Sequence, residues 1–348
     1  MSIKNSVFGL AYGDAWGYVT EFLRFPQIKS KFPIPMPTPA KISDDTQMSL
    51  YSINAIVKAE NVLSKLNNEN TLSYAEWTEI SQSFGEEYLI WLDDPRNSRA
   101  PGMNCLATLT ILKQYPNYEG FEGSNIDSKG CGANMRNPWF GVLPYNASTV
   151  KYLSLIQSAI THSHPLALSS AVLTALTVQA LYTGEVKPGQ NETFYWVKEK
   201  INDLIEENLS DTLSDETGFY SWFPFIDLYS QGLQDLKEFW ASREIFLQNV
   251  TDNVQENICS IIHAEGWIAE EALLLAVVAT DIHANSPVDV IQRLAMTSGD
   301  SDSIAAIGGA MIGAVYTDDV WPENWYRKLE LDYQQELDNA VIDINSLS

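Results

Sequence analysis

The stretch Gly9-Leu10-Ala11-Tyr12-Gly13-Asp14-Ala15-Trp16-Gly17 places three glycines four residues apart in an otherwise largely apolar run. On a helix this spacing stacks them on one face that carries no side chains. Each glycine inside a helix costs about 1 kcal/mol relative to alanine, so three in register need a compensating contact. Close approach of a second helix supplies it. Asp14 and, beyond this stretch, Glu21 lie on a common face if the helix runs on past Gly17, with Ala11, Ala15 and Phe22 as apolar neighbours. A partly buried carboxylate needs a donor or a cation.

Outward from this segment the chain reads as helix. Apolar residues recur at three- and four-residue steps in 48–62, 74–92, 166–182, 194–208, 254–262, 268–280 and 303–316. Strand-like alternation is missing. Pro165 suits a first helical turn and Gly184 a helix end. Residues 26–41, with Pro26, Pro33, Pro35, Pro37 and Pro39, read as a non-helical loop, and the Gly-rich 118–134 as a second. No repeat divides the chain. The expected fold is an all-α, single-domain helical bundle over 1–348, with 183–256 as a helical region of variable character.

Composition narrows the partners. With 45% hydrophobic and 19% charged residues the chain can bury a core, which argues against disorder. A net charge of −24 repels phosphate backbones and anionic lipids at long range, which disfavours nucleic acid and membrane partners. Three cysteines without CxxC spacing suit a reducing compartment. The apolar stretches 272–280 and 304–316 are too short to span a bilayer, and the N-terminal run lacks a signal-peptide core. The expected location is cytoplasmic.

Two acidic clusters open helices: Ser43-Asp44-Asp45-Thr46 and Ser298-Gly299-Asp300-Ser301-Asp302-Ser303. Helix capping explains one or two such residues in each, because carboxylates and hydroxyls bind free N–H groups there. It does not explain adjacent carboxylates, which repel one another unless a cation lies between them. An oxygen-only set suits Mg²⁺ or Mn²⁺ better than zinc, and the four histidines show no zinc spacing. The second cluster lacks the glycine and distal glutamate positions of an EF-hand loop. Thr161-His162-Ser163-His164-Pro165 and Gly130-Cys131-Gly132-Ala133-Asn134-Met135-Arg136 offer imidazole, backbone N–H and guanidinium donors for phosphate or ribose, though each is a weak signal alone.

In order, GLAYGDAWGYVTEF, SDDTQM, RAPGMNCL, KGCGANMR, THSHPLALSSAV, EGWIAEEAL and SGDSDSIAAIGGAMIGAVY, from about residue 7 to about residue 330, resemble the ADP-ribosylglycohydrolase family, that of the dinitrogenase-reductase-activating glycohydrolase. The resemblance implies a binuclear magnesium or manganese centre held by Ser43, Asp44, Asp45, Asp300, Asp302 and Ser303, with serine at positions 43 and 303 where threonine is usual. It implies Glu21 beside the centre, Gly130, Gly132 and Ala133 around the phosphates with Arg136 as local charge, and His162 near the nucleotide. Glu21, Asp45 and Asp300 are the expected catalytic groups. Cys131 is read as a loop variant. The implied reaction removes ADP-ribose from an ADP-ribosylated protein side chain, with arginine favoured, by attack of an activated water at the anomeric carbon. The rival reading is an immunity protein that occludes an ADP-ribosyltransferase toxin, suggested by the charge, the 26–41 loop and the region 183–256.

Overall fold

In the computed structural model, residues 1–69, 73–116, 127–207 and 223–347 are described. Helices α1 (Ile3–Gly17), α2 (Phe25–Lys31), α3 (Asp44–Lys58), α4 (Glu60–Glu69), α5 (Tyr74–Asp93) and α6 (Met103–Gln114) come first. Then follow α7 (Ala147–Ala159), α8 (Pro165–Thr183), α9 (Glu192–Glu206), α10 (Phe223–Arg243) and α11 (Ile258–Ile262). The series ends with α12 (Ala269–Ile282), α13 (Pro287–Ala295), α14 (Ser301–Val315), α15 (Glu323–Tyr326) and α16 (Leu331–Ser346). No strand occurs among the described residues beyond two isolated bridges, Ala40 with Leu329 and Gly130 with Ile268.

The glycine face of α1 meets α14. A Cβ built on Gly9 would strike the Gly309 carbonyl, on Gly13 the Ala305 carbonyl and on Gly17 the Ser301 carbonyl. The reverse holds for Gly309 against Gly9 and Gly313 against Asn5. Position falls by four along α14 as it climbs by four along α1, so the helices are antiparallel and touch backbone to backbone. Ser6 Oγ donates to the Ala310 carbonyl (3.0 Å) and Ser301 Oγ to the Gly17 carbonyl (2.9 Å), pinning both ends of the contact. The C-terminus of α1 thereby lies beside the N-terminus of α14. Toward the opposite end, Phe8, Tyr12, Trp321, Trp325 and Tyr326 form an aromatic cluster, with Tyr12 and Trp325 centroids 5.3 Å apart, edge to face, and Trp325 also meets Trp16 at 5.3 Å.

Helix α8 forms the second pillar, bordered by α7, α10, α12 and α14. By length and composition it would cross a membrane, a longer apolar helix than the stretches at 272–280 and 304–316, but most of it is buried within the fold. It starts at Pro165 and stops at Gly184, whose φ of +79° suits glycine. The described parts of the span Thr183–Glu256 are part of the same body: α10 lies on α8 and α9, and Trp240 stacks on Phe194 with centroids 5.2 Å apart. Residues 208–222 lie outside the described residues.

Several local readings change, among them 254–262, where only Ile258–Ile262 is helical. Residues 25–31 are helical, because Pro26 occupies the first turn, where no N–H is required, and Gln27 Oε1 accepts from the Arg24 N–H at 2.9 Å. The segment 48–62 is interrupted at Ala59, between α3 and α4. Helix α1 stops at Gly17, so Asp14 is helical while Glu21 lies in the turn beyond it. Of the loop 118–134, residues 118–126 lie outside the described residues and Cys131–Ala133 forms a short 3₁₀ turn.

Candidate functional site

The start of α3 is fixed from outside by Asp14. Its carboxylate accepts the Ser43 N–H (2.8 and 3.0 Å), the Thr46 N–H (3.0 Å) and the Thr46 hydroxyl. These contacts tie Asp14 to the start of α3, so it braces the turn. Ser43 caps α3, accepting the Asp45 N–H at 3.2 Å and donating to Asp45 Oδ2 at 2.8 Å. Asp44 turns the other way, and its Oδ2 accepts the Gly102 N–H at 3.0 Å. Two adjacent carboxylates are thus splayed by different partners.

The start of α14 is fixed by its own loop. The Asp300 N–H donates to the Glu265 carbonyl at 2.8 Å, and Gly299 beside it has φ of +89° with no room for a Cβ against that carbonyl. Ser301 points back into the α1 contact, which leaves Asp300, Asp302 and Ser303 toward the cleft. One oxygen each from Glu21, Asp300 and Asp302 lie within 4.8 Å of one another, as do oxygens of Asp14, Asp45 and Asp302. All five are buried.

Glu21, Asp44, Asp45, Asp300 and Asp302 line a cleft of about 510 Å³, whose walls also include Gly102, Asn104, Cys105, Gly130, Cys131, Gly132 and His162. The glycine loop is stitched to the start of α12: the Cys131 N–H donates to the Trp267 carbonyl (3.1 Å) and the Ala269 N–H to the Lys129 carbonyl (2.9 Å). At the mouth, the exposed Phe22 and Trp267 rings stack at 6.3 Å and 21°, and Met103 is exposed beside the same cleft.

Burial makes the cluster unfavourable without a counter-charge. It pushes Glu21 up to about 8, helped by Asp300 and Asp44. Asp44 is pushed up to about 7 and Asp300 to about 6, both chiefly by burial. Asp45 and Asp302 are pushed well up by burial and by neighbouring carboxylates. Glu21 Oε2 and Asp45 Oδ1 are buried without a hydrogen-bond partner. Orphaned carboxylate oxygens among like charges are what a hard cation relieves, so the donor set fits a divalent ion.

A model of the ADP-ribosylglycohydrolase family matches residues 2–347. The chain belongs to the ADP-ribosylglycohydrolase family. It is 24% identical to ADP-ribosylhydrolase ARH1 of Dictyostelium discoideum over 94% of this chain and 90% of that one. It is 25% identical to ADP-ribosylhydrolase ARH3 of Gallus gallus over 75% and 70%. A solved ADP-ribosylglycohydrolase-related protein complex superposes with a TM-score of 0.59 at 17% identity, over 99% of this chain and 97% of that chain, which shows a shared fold. Family membership makes the protein a glycohydrolase, acting to release ADP-ribose from a modified target.

Of the positions expected from the sequence, Glu21, Asp44, Asp45, Asp300, Asp302, Ser303, Gly130, Gly132 and His162 all line one cleft. Ser43 is fully buried behind Asp45. Two of the sequence-derived positions lie elsewhere. Ala133 is buried off the cleft, its carbonyl accepting from Gln157 Nε2 at 3.0 Å. Arg136 is also fully buried: Nε donates to Gln157 Oε1 (2.6 Å), and Nη2 donates to the Gln157 carbonyl (3.0 Å) and Thr161 Oγ1 (2.8 Å). The expectation that Arg136 meets phosphates directly is corrected, because its donors are committed inside the wall. His164 likewise caps α8, accepting the Leu166 N–H at 3.2 Å. Sequence reasoning passed over Gly102 and Trp267 and read Phe22 only as an apolar neighbour, although the motifs RAPGMNCL, EGWIAEEAL and GLAYGDAWGYVTEF contain them.

Proposed function

We propose that the protein is a metal-dependent hydrolase that removes ADP-ribose from ADP-ribosylated protein side chains, arginine first among them, and so reverses a transferase. The observation that carries this reading is the set of buried carboxylates with orphaned oxygens at the base of a nucleotide-sized cleft. Ser43, Asp44, Asp45, Asp300, Asp302 and Ser303 would hold two Mg²⁺ or Mn²⁺ ions. Bound there, the ions would lower the pKa of a water and orient the ribose hydroxyls.

The chain's own groups do the rest. Asp45 and Asp300 aim oxygens at the centre and position the attacking water. Glu21 Oε2 is buried without a partner beside Asp300 and Asp302, which places its carboxyl where it can pass a proton to the leaving group. The surrounding carboxylates favour the positive charge that builds on the sugar as the glycosidic bond breaks. Gly130, Gly132 and His162 give the phosphates neutral donors on the far wall. The stacked Phe22 and Trp267 offer a flat apolar surface at the mouth. An acidic cleft favours a cationic leaving side chain, and the guanidine of arginine fits that requirement better than the hydroxyl of serine.

The test is to incubate purified protein and Mg²⁺ with mono-ADP-ribosylated arginine, serine and DNA substrates. Release of ADP-ribose from the arginine conjugate, abolished by chelator, is expected. No release from any substrate refutes the reading, and release from serine alone refutes the arginine preference.

A further inference from the structure

Arg136, displaced from its expected place at the phosphates, has a different use. Its guanidinium is always protonated, so each of its nitrogens can only donate. No carboxylate pairs with it among the described residues. It rests 4.5 Å over the Tyr88 ring, and Nη2 donates to Thr161 Oγ1 at 2.8 Å. Thr161 Oγ1 lies 2.8 Å from His162 Nδ1. Because the hydroxyl oxygen already accepts from Arg136, its own proton is free for another acceptor. Two are at hand, His162 Nδ1 and the Cys105 thiol. The imidazole nitrogen is the stronger acceptor, and Arg136 Nη1 already lies 3.7 Å from Cys105 Sγ. Nδ1 therefore accepts, and a neutral imidazole must then carry its proton on Nε2.

His162 Nε2 faces the glycine loop: a Cβ on Gly132 would sit 3.6 Å from it, and one on Gly130 3.8 Å. The ring is almost wholly buried, yet it lines the cleft. Burial, with Arg136 behind, pushes its pKa down to about 3, which keeps it uncharged. A cationic side chain at this spot would be drawn to Asp44 and Asp300 across the cleft, whereas a neutral N–H is not.

We propose that Arg136 and Thr161 are positioning residues that lock His162 in its Nε2–H tautomer, giving the cleft a fixed neutral donor for an anionic oxygen of the nucleotide. This rests on the ADP-ribose reading of the cleft. The tautomer itself can be read without any ligand.

The experiment uses full-length ¹⁵N-labelled protein and long-range ¹H–¹⁵N correlation of its four histidines, with His162→Gln assigning the signal. The expected wild-type pattern is a pyridine-like Nδ1 and a pyrrole-like Nε2, with the Nε2 signal moving when ADP-ribose is added. Thr161→Val keeps the shape and removes the hydroxyl; it should give mixed tautomers and weaken ADP-ribose about tenfold by calorimetry. Thr161→Ser should restore both. Arg136→Lys keeps the charge without the fixed fork, and should also give mixed tautomers. A proton on Nδ1 in the wild type, or an unchanged Nε2–H pattern in Thr161→Val or Arg136→Lys, overturns the relay. The expected wild-type pattern with no ADP-ribose binding overturns the substrate reading and leaves the relay standing.

Discussion

The two ends of the α1–α14 pair are built from the same close backbone contact and then diverge. Toward one end lie Phe8, Tyr12, Trp321, Trp325 and Tyr326, rings in contact and Trp325 buried. At the other lie Asp45, Asp300, Asp302 and Glu21, buried, mutually repelling and partly unpaired. The first end stabilises the fold through apolar burial, and the second, without a counter-charge, takes stability away. The difference shows where the pair is scaffold and where it is machinery.

Asp302→Asn should break the comparison most sharply. Loss of ADP-ribose release by about a thousandfold or more is expected, because a charged ligand at the reacting centre is gone. The metal-free variant should melt no lower than the parent, since an acidic group disfavoured by burial and by neighbouring carboxylates has also gone. Turnover assays beside thermal melts check both, and a large stability loss would mean that the acidic end is structural.

Trp325→Ala should do the reverse. A loss of about 3–5 kcal/mol in stability is expected from emptying the aromatic end, with kcat of the folded fraction kept within about threefold. Denaturant unfolding with active-site titration measures it.

Gly309→Ala tests what the ends share. The added methyl would strike the Gly9 carbonyl, so a loss of about 1–3 kcal/mol is expected despite the better helix former. The displaced start of α14 should also weaken Mg²⁺ binding, read by isothermal titration.

The smallest effect concerns pH. Free Asp and Glu titrate near 3.9 and 4.3, whereas here Asp300, Asp44 and Glu21 are raised to about 6, 7 and 8. The folded protein then retains protons that the unfolded chain has released. This contribution is complete below about pH 4 and is lost as pH rises through 6 to 8. Melting temperature of the metal-free protein should fall by a few degrees across that window, and Mg²⁺ should narrow the fall. A fall equally steep with and without Mg²⁺ would contradict it.

Much of this was legible in the chain because the signals were periodic or local. Gly9, Gly13 and Gly17 announced a backbone contact by spacing alone, and Pro165 and Gly184 marked the bounds of α8. The two acidic clusters were visible because adjacent carboxylates are hard to explain otherwise. What stayed hidden was direction. Nothing in Gly130–Arg136 says that Arg136 points into the wall while Gly132 faces the cleft, since that depends on Gln157 and Thr161, 21 and 25 residues away. Nor does sequence reveal that Asp14 is tied to the start of α3, which makes it a brace. Helix α10 falls in the region 183–256 read as helical, but that reading did not place it on α8 and α9, because the partner of an apolar helix face is not written in its own periodicity.

The seam between α1 and α14 also has a consequence in time. Gly17 and Ser301 are 284 residues apart, so at ribosomal rates α1 waits roughly 15–60 s for its partner to be made. Until then its glycine face has nothing to close against, and the acidic centre lacks Asp300 and Asp302. A nascent or truncated chain therefore carries no assembled cleft. Hydrolytic competence arrives late and all at once, with synthesis of the segment that completes the seam.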